Sequence, residues 1–348
     1  MGNMRKYVGI IAGVLALTLV AAACGGDDDT GDGTTGGGET GATGGAAISG
    51  SLNISGSSTV EPITSLVGEK FQAANPDVTI AVDGPGTSDG FELFCNGETD
   101  ISDASRPIDE EEVAACQENG ISPIEIEVAL DALSVIGNPA NPVECMNFGD
   151  LYALFGPEAD ATNWADADAL AADVGGTGGF PDLELTIVAP GEESGTYGSF
   201  IDIVGTDDVA EERGVAEDLA GGLRPDYQIS ADDNVIVDNA AGTEGGLGFV
   251  GFAFAENAGD TVKEFQIDGG DGCVAPSPEA VIDGSYPLGR SLFIYVNPNK
   301  MTENPAVTPF VDFYLSDEGL ASVEEVQYIS LPADRIEASR TAWGSAMA

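Results

Sequence analysis

The chain first alternates short β-rich runs with apolar patterns of helical period, and that alternation confines it to the α/β class. Residues 51–55, 78–82 and 100–102 read as strands bounded by Gly, Ser or Asp. Between them Val60, Ile63, Val67 and Phe71 repeat at helical spacing after Thr59, with Pro62 tolerated in the first turn, and Phe91 with Phe94 marks a shorter helix after Ser88. Strands that alternate with helices predict mainly parallel sheets flanked by helices. From about Ala46 to Ala348 the chain has roughly 300 residues, enough for two lobes of about 150 each rather than one core. Two long apolar runs, 124–136 and 291–296, are the candidates for hinge crossings between them. The expected division is residues 50–131 with 292–348 as lobe one and 132–291 as lobe two. Lobe two shows a strand over 183–188, a helix over 197–204 and a Gly-rich strand over 245–253; helices follow near 305–315, 319–326 and 335–343, and there is no internal repeat.

The amino terminus reads as a processing segment. Arg5 and Lys6 precede an uncharged apolar run that ends in Ala21, Ala22 and Ala23 directly before Cys24. This is the pattern of a bacterial lipoprotein signal over residues 1–23, with Cys24 as the lipidated residue and 24–49 as a flexible, acidic, Gly-rich tether. No later stretch approaches 18 consecutive apolar residues. An exported protein held by lipid at the outer face of the cytoplasmic membrane, on its periplasmic or extracellular side, is expected.

With Cys24 assigned to lipid, Cys95, Cys116, Cys145 and Cys273 remain, an even number that allows three disulfide connectivities. The preferred pairing is Cys95 with Cys116 and Cys145 with Cys273, because the first pair closes a short loop within one structural unit. Metal is not expected, since the chain has no CxxC and no histidine. The same absence excludes Ser-His-Asp and Cys-His catalysis, so no enzyme is predicted. With 11 basic and 60 acidic residues the formal net charge is −49, which makes nucleic acid and anionic membrane surfaces unsuitable partners.

Three places share one pattern, in which a strand ends, a Ser/Thr/Gly cluster follows and a helix begins: 56–59, 86–90 and 193–196. A helix N-terminus presents unpaired N–H groups and a partial positive charge, so each is a candidate oxyanion subsite. Each is also an ordinary N-cap; it is the occurrence of three, two in lobe one and one in lobe two, that predicts an anion closed between lobes. Arg106, the only basic residue between Lys70 and Arg213, stands just past the third strand and is the expected guanidinium.

These residues resemble the phosphate-binding proteins of Pst-type ABC transporters, particularly the branch common in cyanobacteria and actinobacteria. The resemblance rests on GSSTVEPI (56–63), GPGTSDGFELFCNGETDISDASRPI (84–108), VALDALSVIGNP (128–139), PGEESGTYGSF (190–200), DDNVIV (232–237), GGLGFVGFAF (245–254) and SLFIYVNP (291–298). It implies the two-lobed periplasmic-binding-protein-like fold of type II, high-affinity capture of inorganic phosphate and delivery to the transmembrane permease subunits of an ABC importer. No cofactor is implied, and the chain is expected to act as a monomer. The phosphate ligands it implies are Thr59, the Val60 backbone, Thr87, Ser194, Gly195 and Thr196; Ser58, Ser88, Ser105 and Arg106, in or beside the same turns, complete the expected site.

Two positions depart from the family. Ser105 stands where many members have an aspartate, and Pro190 where many have an arginine four residues before the SGT serine. An acceptor facing the proton of monohydrogen phosphate is what penalises sulfate, so the missing aspartate needs a substitute. Asp103 and Asp233 rank above Asp89 and Glu193 for it. Other tetrahedral oxyanions such as sulfate or molybdate, a phosphatase-like hydrolase on the same fold, and an acidic surface lipoprotein without a small ligand are the competing readings.

Overall fold

The computed structural model describes residues 48–192, 194–216 and 221–348; the signal segment, Cys24 and nearly all of the tether lie outside the described residues. Lobe one opens with β1 (Gly50–Gly56), α1 (Glu61–Ala74), β2 (Val78–Asp83), α2 (Thr87–Cys95), β3 (Ile101–Ala104) and α3 (Glu110–Glu118). β1 pairs in parallel with both β2 and β3, as βαβ connections require. α1 turns Ile63, Val67 and Phe71 into a core shared with Leu52, Ile54 and Val78. A capping box between Asp109 and Glu112 starts α3.

β4 (Ile124–Gly137) then carries the chain across. Its first half pairs with β12 (Gly289–Val296) and its second half with β8 (Gly246–Gly251), both antiparallel. Lobe two contains β5 (Cys145–Asn147), α4 (Phe148–Phe155), α5 (Asp168–Asp173), β6 (Thr186–Ala189), α6 (Gly195–Val204), α7 (Thr206–Glu212), β7 (Gln228–Ile229) and α8 (Asp233–Gly242) before β8. α9 (Phe252–Ala258), β9 (Lys263–Glu264), β10 (Gln266–Asp268), β11 (Cys273–Val274) and α10 (Pro278–Ile282) follow, and β12 leads back. The main sheet runs β2-β1-β3-β12-β4-β8-β6-β7, and a small second sheet holds β11, β10 and β5.

The sheet is mixed where the sequence predicted mainly parallel pairing. Parallel neighbours flank β1 and β6, but the two crossing strands are antiparallel to each other and to β3 and β8. The reason is topological: a chain that leaves a lobe on one crossing strand and returns on the next must reverse direction between them. β4 carries an extra residue, Val128, opposite the Leu292–Phe293 step of β12, a bulge that increases local twist between the lobes.

The C-terminal part adds α11 (Pro298–Glu303), α12 (Val307–Tyr314), α13 (Asp317–Glu325) and α14 (Ala333–Ala346). Phe310, Val311, Tyr314 and Trp343 close the lobe-one core, whereas Leu331 belongs to the large lobe-two core around Trp164, Phe155 and Phe249. Between α13 and α14, Ile329 exchanges both backbone hydrogen bonds with Leu130 of β4, at 2.9 and 3.0 Å. Disulfides join Cys95 to Cys116, tying α2 to α3, and Cys145 to Cys273, tying β5 to β11.

Candidate anion-binding cleft between the lobes

The first turn follows Gly56, where a Cβ would stand 2.0 Å from the Asp103 carbonyl oxygen, so only glycine fits. Ser57 N–H donates to that carbonyl at 2.8 Å, Thr59 N–H donates to Ser57 Oγ at 3.2 Å, and Val60 N–H donates to Ser57 O at 3.1 Å. The amides of Thr59 and Val60, expected to serve the anion, are thus satisfied inside the turn by Ser57, a residue that was not singled out. The Thr59 side chain is fully buried, with Oγ1 3.2 Å from Ser199 Oγ of α6 across the cleft. In the second turn Thr87 Oγ1 lies 3.0 Å from Ser105 Oγ and accepts from Ser105 N–H at 3.2 Å, a link from α2 to the end of β3. In the third, Ser194 caps α6 by accepting from Thr196 N–H at 3.2 Å.

These turns do not converge on one hollow. A hollow of about 230 Å³ is lined by Ser194, Gly195 and Thr196 together with Asp131, Asp233 and Tyr328. A wider one of about 630 Å³ is lined by Ser57, Ser58, Thr87, Ser88, Asp89, Ser105, Arg106 and Arg290. Between them stands a polar partition of four side chains: Thr59, Ser199, Asp131 and Arg290. Arg290 and Asp131 are register partners on β12 and β4. Arg290 Nη2 donates to Thr59 Oγ1 and to Ser199 Oγ, both at 2.9 Å, while Nε reaches Asp131 Oδ2 at 3.3 Å and Nη1 reaches Asp202 at 3.2 Å. One guanidinium therefore holds a hydroxyl from each lobe and a carboxylate on the crossing.

Arg106 does not have this position. Its two terminal nitrogens form a fork on Glu112 at 2.8 and 2.7 Å, Nη2 also donates to Ser88 Oγ at 3.0 Å, and the group lies 5.5 Å above the Phe91 ring. Glu112, which also closes the α3 capping box, raises the Arg106 pKa through that hydrogen bond. The guanidinium borders the wider hollow with both terminal nitrogens paired to one carboxylate of its own lobe, whereas Arg290, lining the same hollow, is shared between groups of both lobes. Sequence reasoning missed Arg290 because it immediately precedes the run taken as the second crossing. The available signal was an arginine at the start of one apolar crossing run and an aspartate in the middle of the other.

The carboxylates separate in the same way. The Asp103 side chain is buried behind the first turn, accepting from Thr64 Oγ1 at 3.0 Å, and lines neither hollow. Burial pushes its pKa up to about 8, with Glu61 and Asp83 adding to the effect against the Thr64 hydrogen bond. It is therefore corrected as the proton acceptor: it stands behind the turn, away from both hollows. Asp233, at the start of α8, does border the SGT turn, and burial, then Asp232, raises its pKa. Asp89 lines the wider hollow from an exposed position, and Glu193 lies outside the described residues.

Two lobes hinged on paired crossing strands, with a partly buried guanidinium and hydroxyls from both lobes between them, define a solute-binding receptor of the periplasmic-binding-protein class. A family model described as a PBP superfamily domain matches residues 41–318. The SphX protein of Synechococcus elongatus is 39% identical over 80% of this chain and 77% of its own length. The phosphate-binding protein PstS of Staphylococcus epidermidis is 31% identical over 94% and 90%. The crystal structure of a possible phosphate binding protein from Planctomyces limnophilus superimposes with a TM-score of 0.76 at 34% identity, covering 86% of this chain and all of that one. The chain belongs to the PBP superfamily and, within it, to the family of the PstS and SphX proteins.

Proposed function

We propose that this protein captures inorganic phosphate outside the cytoplasmic membrane and passes it to the permease subunits of an ABC importer. The observation that carries this reading is the Arg290 guanidinium, partly buried between the lobes and hydrogen-bonded to Thr59 and Ser199 from opposite sides. A tetrahedral oxyanion takes the place of such hydroxyl acceptors around a guanidinium, and charge-assisted hydrogen bonds are the strong ones in a water-poor site. Among the tetrahedral anions, the names of relatives such as the phosphate-binding protein PstS favour phosphate as the ligand in this reading. In this reading residues 50–131 and 292–348 close on 132–291 by rotation about β4 and β12. The Ser58, Thr87, Ser88 and Ser105 hydroxyls approach from lobe one and the Ser194–Gly195–Thr196 turn from lobe two. Thr59 and Val60 contribute through the rigid turn that Ser57 ties together.

The protein works as a monomeric receptor without catalytic turnover, held to the outer membrane face through lipid on Cys24. The test is calorimetric titration with phosphate. Arg290→Ala should weaken binding by at least about 30-fold, since removing one partner of a buried charge pair costs about 2–5 kcal/mol. Arg106→Ala should change the dissociation constant by less than about threefold, its partner Glu112 lying outside the cleft partition. Equal effects of the two substitutions would refute the assignment of the guanidinium, and a well-folded wild-type protein that gives no heat with millimolar phosphate would refute the function.

A further inference from the structure

Phosphate and sulfate present the same tetrahedron of oxygens, and near neutral pH they differ in one atom: monohydrogen phosphate carries a proton that sulfate lacks. A receptor that separates them needs an acceptor facing that proton, placed where water cannot substitute for it. The Ser105 hydroxyl at the end of β3 is engaged with Thr87, so a carboxylate acceptor has to come from elsewhere in the cleft.

Among the described residues, the carboxylates lining the two hollows are Asp89, Asp131, Asp202, Asp207, Asp208 and Asp233. Only Asp131 is buried, at 7% exposure; Asp233 is half-buried, and the other four are exposed. Asp131 also has the necessary division of labour between its oxygens. Oδ2 is committed, accepting from Ser199 Oγ at 2.8 Å and from Arg290 Nε at 3.3 Å. Oδ1 takes no hydrogen bond from any described residue, and it is not among the side-chain oxygens sealed off without a partner. The residue lines the hollow that the Ser194–Gly195–Thr196 turn also borders, so this free oxygen is available at the cleft. Arg290 supplies the countercharge a buried carboxylate needs, and the strand pairing of β4 with β12 fixes the two side by side.

We propose that Asp131 is the carboxylate that accepts the proton of bound monohydrogen phosphate, and that it sets the selectivity of this protein against sulfate. The proposal rests on the reading of the chain as a phosphate receptor. The acceptor stands on the crossing strand, where it contacts the guanidinium directly. With phosphate, Oδ1 receives an O–H from the ligand. With sulfate, two negative oxygens face each other with no hydrogen between them. A site built around a ligand O–H rejects an analogue lacking it by about 10⁴–10⁵.

The experiment titrates phosphate and sulfate into wild-type protein, Asp131→Asn and Asp131→Glu, with thermal melting as a check on folding. Asn keeps an oxygen for Ser199 and Arg290 but can turn an N–H toward the ligand. In Asp131→Asn, phosphate should weaken, sulfate should tighten, and the affinity ratio should fall by at least about 100-fold of the wild-type discrimination. Asp131→Glu, which keeps the charge, should still reject sulfate even where its phosphate affinity drops. A purely structural role in holding Arg290 would lower both affinities together and leave the ratio intact, and that result overturns the proposal. So would sulfate bound as well as phosphate in Asp131→Glu, or a collapse of the ratio in Asp233→Asn instead of Asp131→Asn. Wild-type protein that binds no phosphate overturns the receptor reading and this proposal with it; wild-type binding with an unchanged ratio in Asp131→Asn overturns this proposal alone.

Discussion

Arg106 is a lone guanidinium in an acidic stretch of chain, and scarcity does not by itself place it at a shared site. What sets Arg106 and Arg290 apart is whether their partners come from one lobe or from both. Glu112 lies six residues away on the first turn of α3 and satisfies both Arg106 terminal nitrogens, whereas Arg290 meets two hydroxyls and two carboxylates contributed by different elements. Asp103 shows the same principle for an acid. Its neighbours Thr64 and Tyr314 come from helices distant in sequence, and burial among them keeps the carboxyl protonated up to about pH 8. In the unfolded chain the same group loses its proton near pH 4. Between those values the unfolded state binds fewer protons at this site, so the contribution of Asp103 to stability declines as pH rises from about 4 and is smallest above about 8. Asp103→Asn, neutral at every pH, should therefore gain stability relative to wild type on going from pH 5 to pH 9, on the order of a few kcal/mol. Urea midpoints of both proteins at the two pH values decide it, and parallel pH profiles would rule out a buried neutral carboxyl.

Helix α2 is placed by a close approach that its sequence announces only as a glycine. A Cβ on Gly90 would lie 2.3 Å from Gly56 Cα and 3.0 Å from both Ser55 O and Ser102 Oγ, so the helix rests directly on the backbone of β1. That contact positions Thr87 three residues earlier, and through it the hydrogen bonds to Ser105. Gly90→Ala should push α2 off the sheet, destabilising the fold by about 1–3 kcal/mol as overpacking does, and should weaken phosphate binding by roughly tenfold or more through displacement of Thr87. Melting and titration of the one variant test both effects. An alanine accommodated with no change in either would mean that α2 is free to shift without consequence for the cleft. The crossing strands were legible as long apolar runs, and α1 and α2 as periodic ones. The antiparallel pairing of β4 with β12, the bulge at Val128 and the return of Ile329 onto Leu130 were not, because they join residues far apart in sequence.

Over the whole molecule the formal charge of −49 opposes both compaction and the approach of an anion. Local hydrogen bonds act over about 3 Å, while diffuse repulsion is screened beyond roughly 8–10 Å at ordinary ionic strength and beyond about 3 Å at 1 M salt. Thermal stability should therefore rise from low to molar NaCl, and phosphate association should slow at low salt while dissociation changes little. Stopped-flow rates at 10 mM and 500 mM NaCl check the second; a dissociation rate that carries most of the salt dependence would contradict it. The sequence by itself determined the class of fold, the two lobes, the candidate turns and the exclusion of histidine-dependent catalysis, because periodicity, turn chemistry and composition are local or additive properties. Only the tertiary structure decided which arginine enters the cleft, which carboxylate stands beside it and which is buried away. Those outcomes depend on the register of β12 against β4 and on packing between helices, and no local pattern encodes a contact between residues 131 and 290.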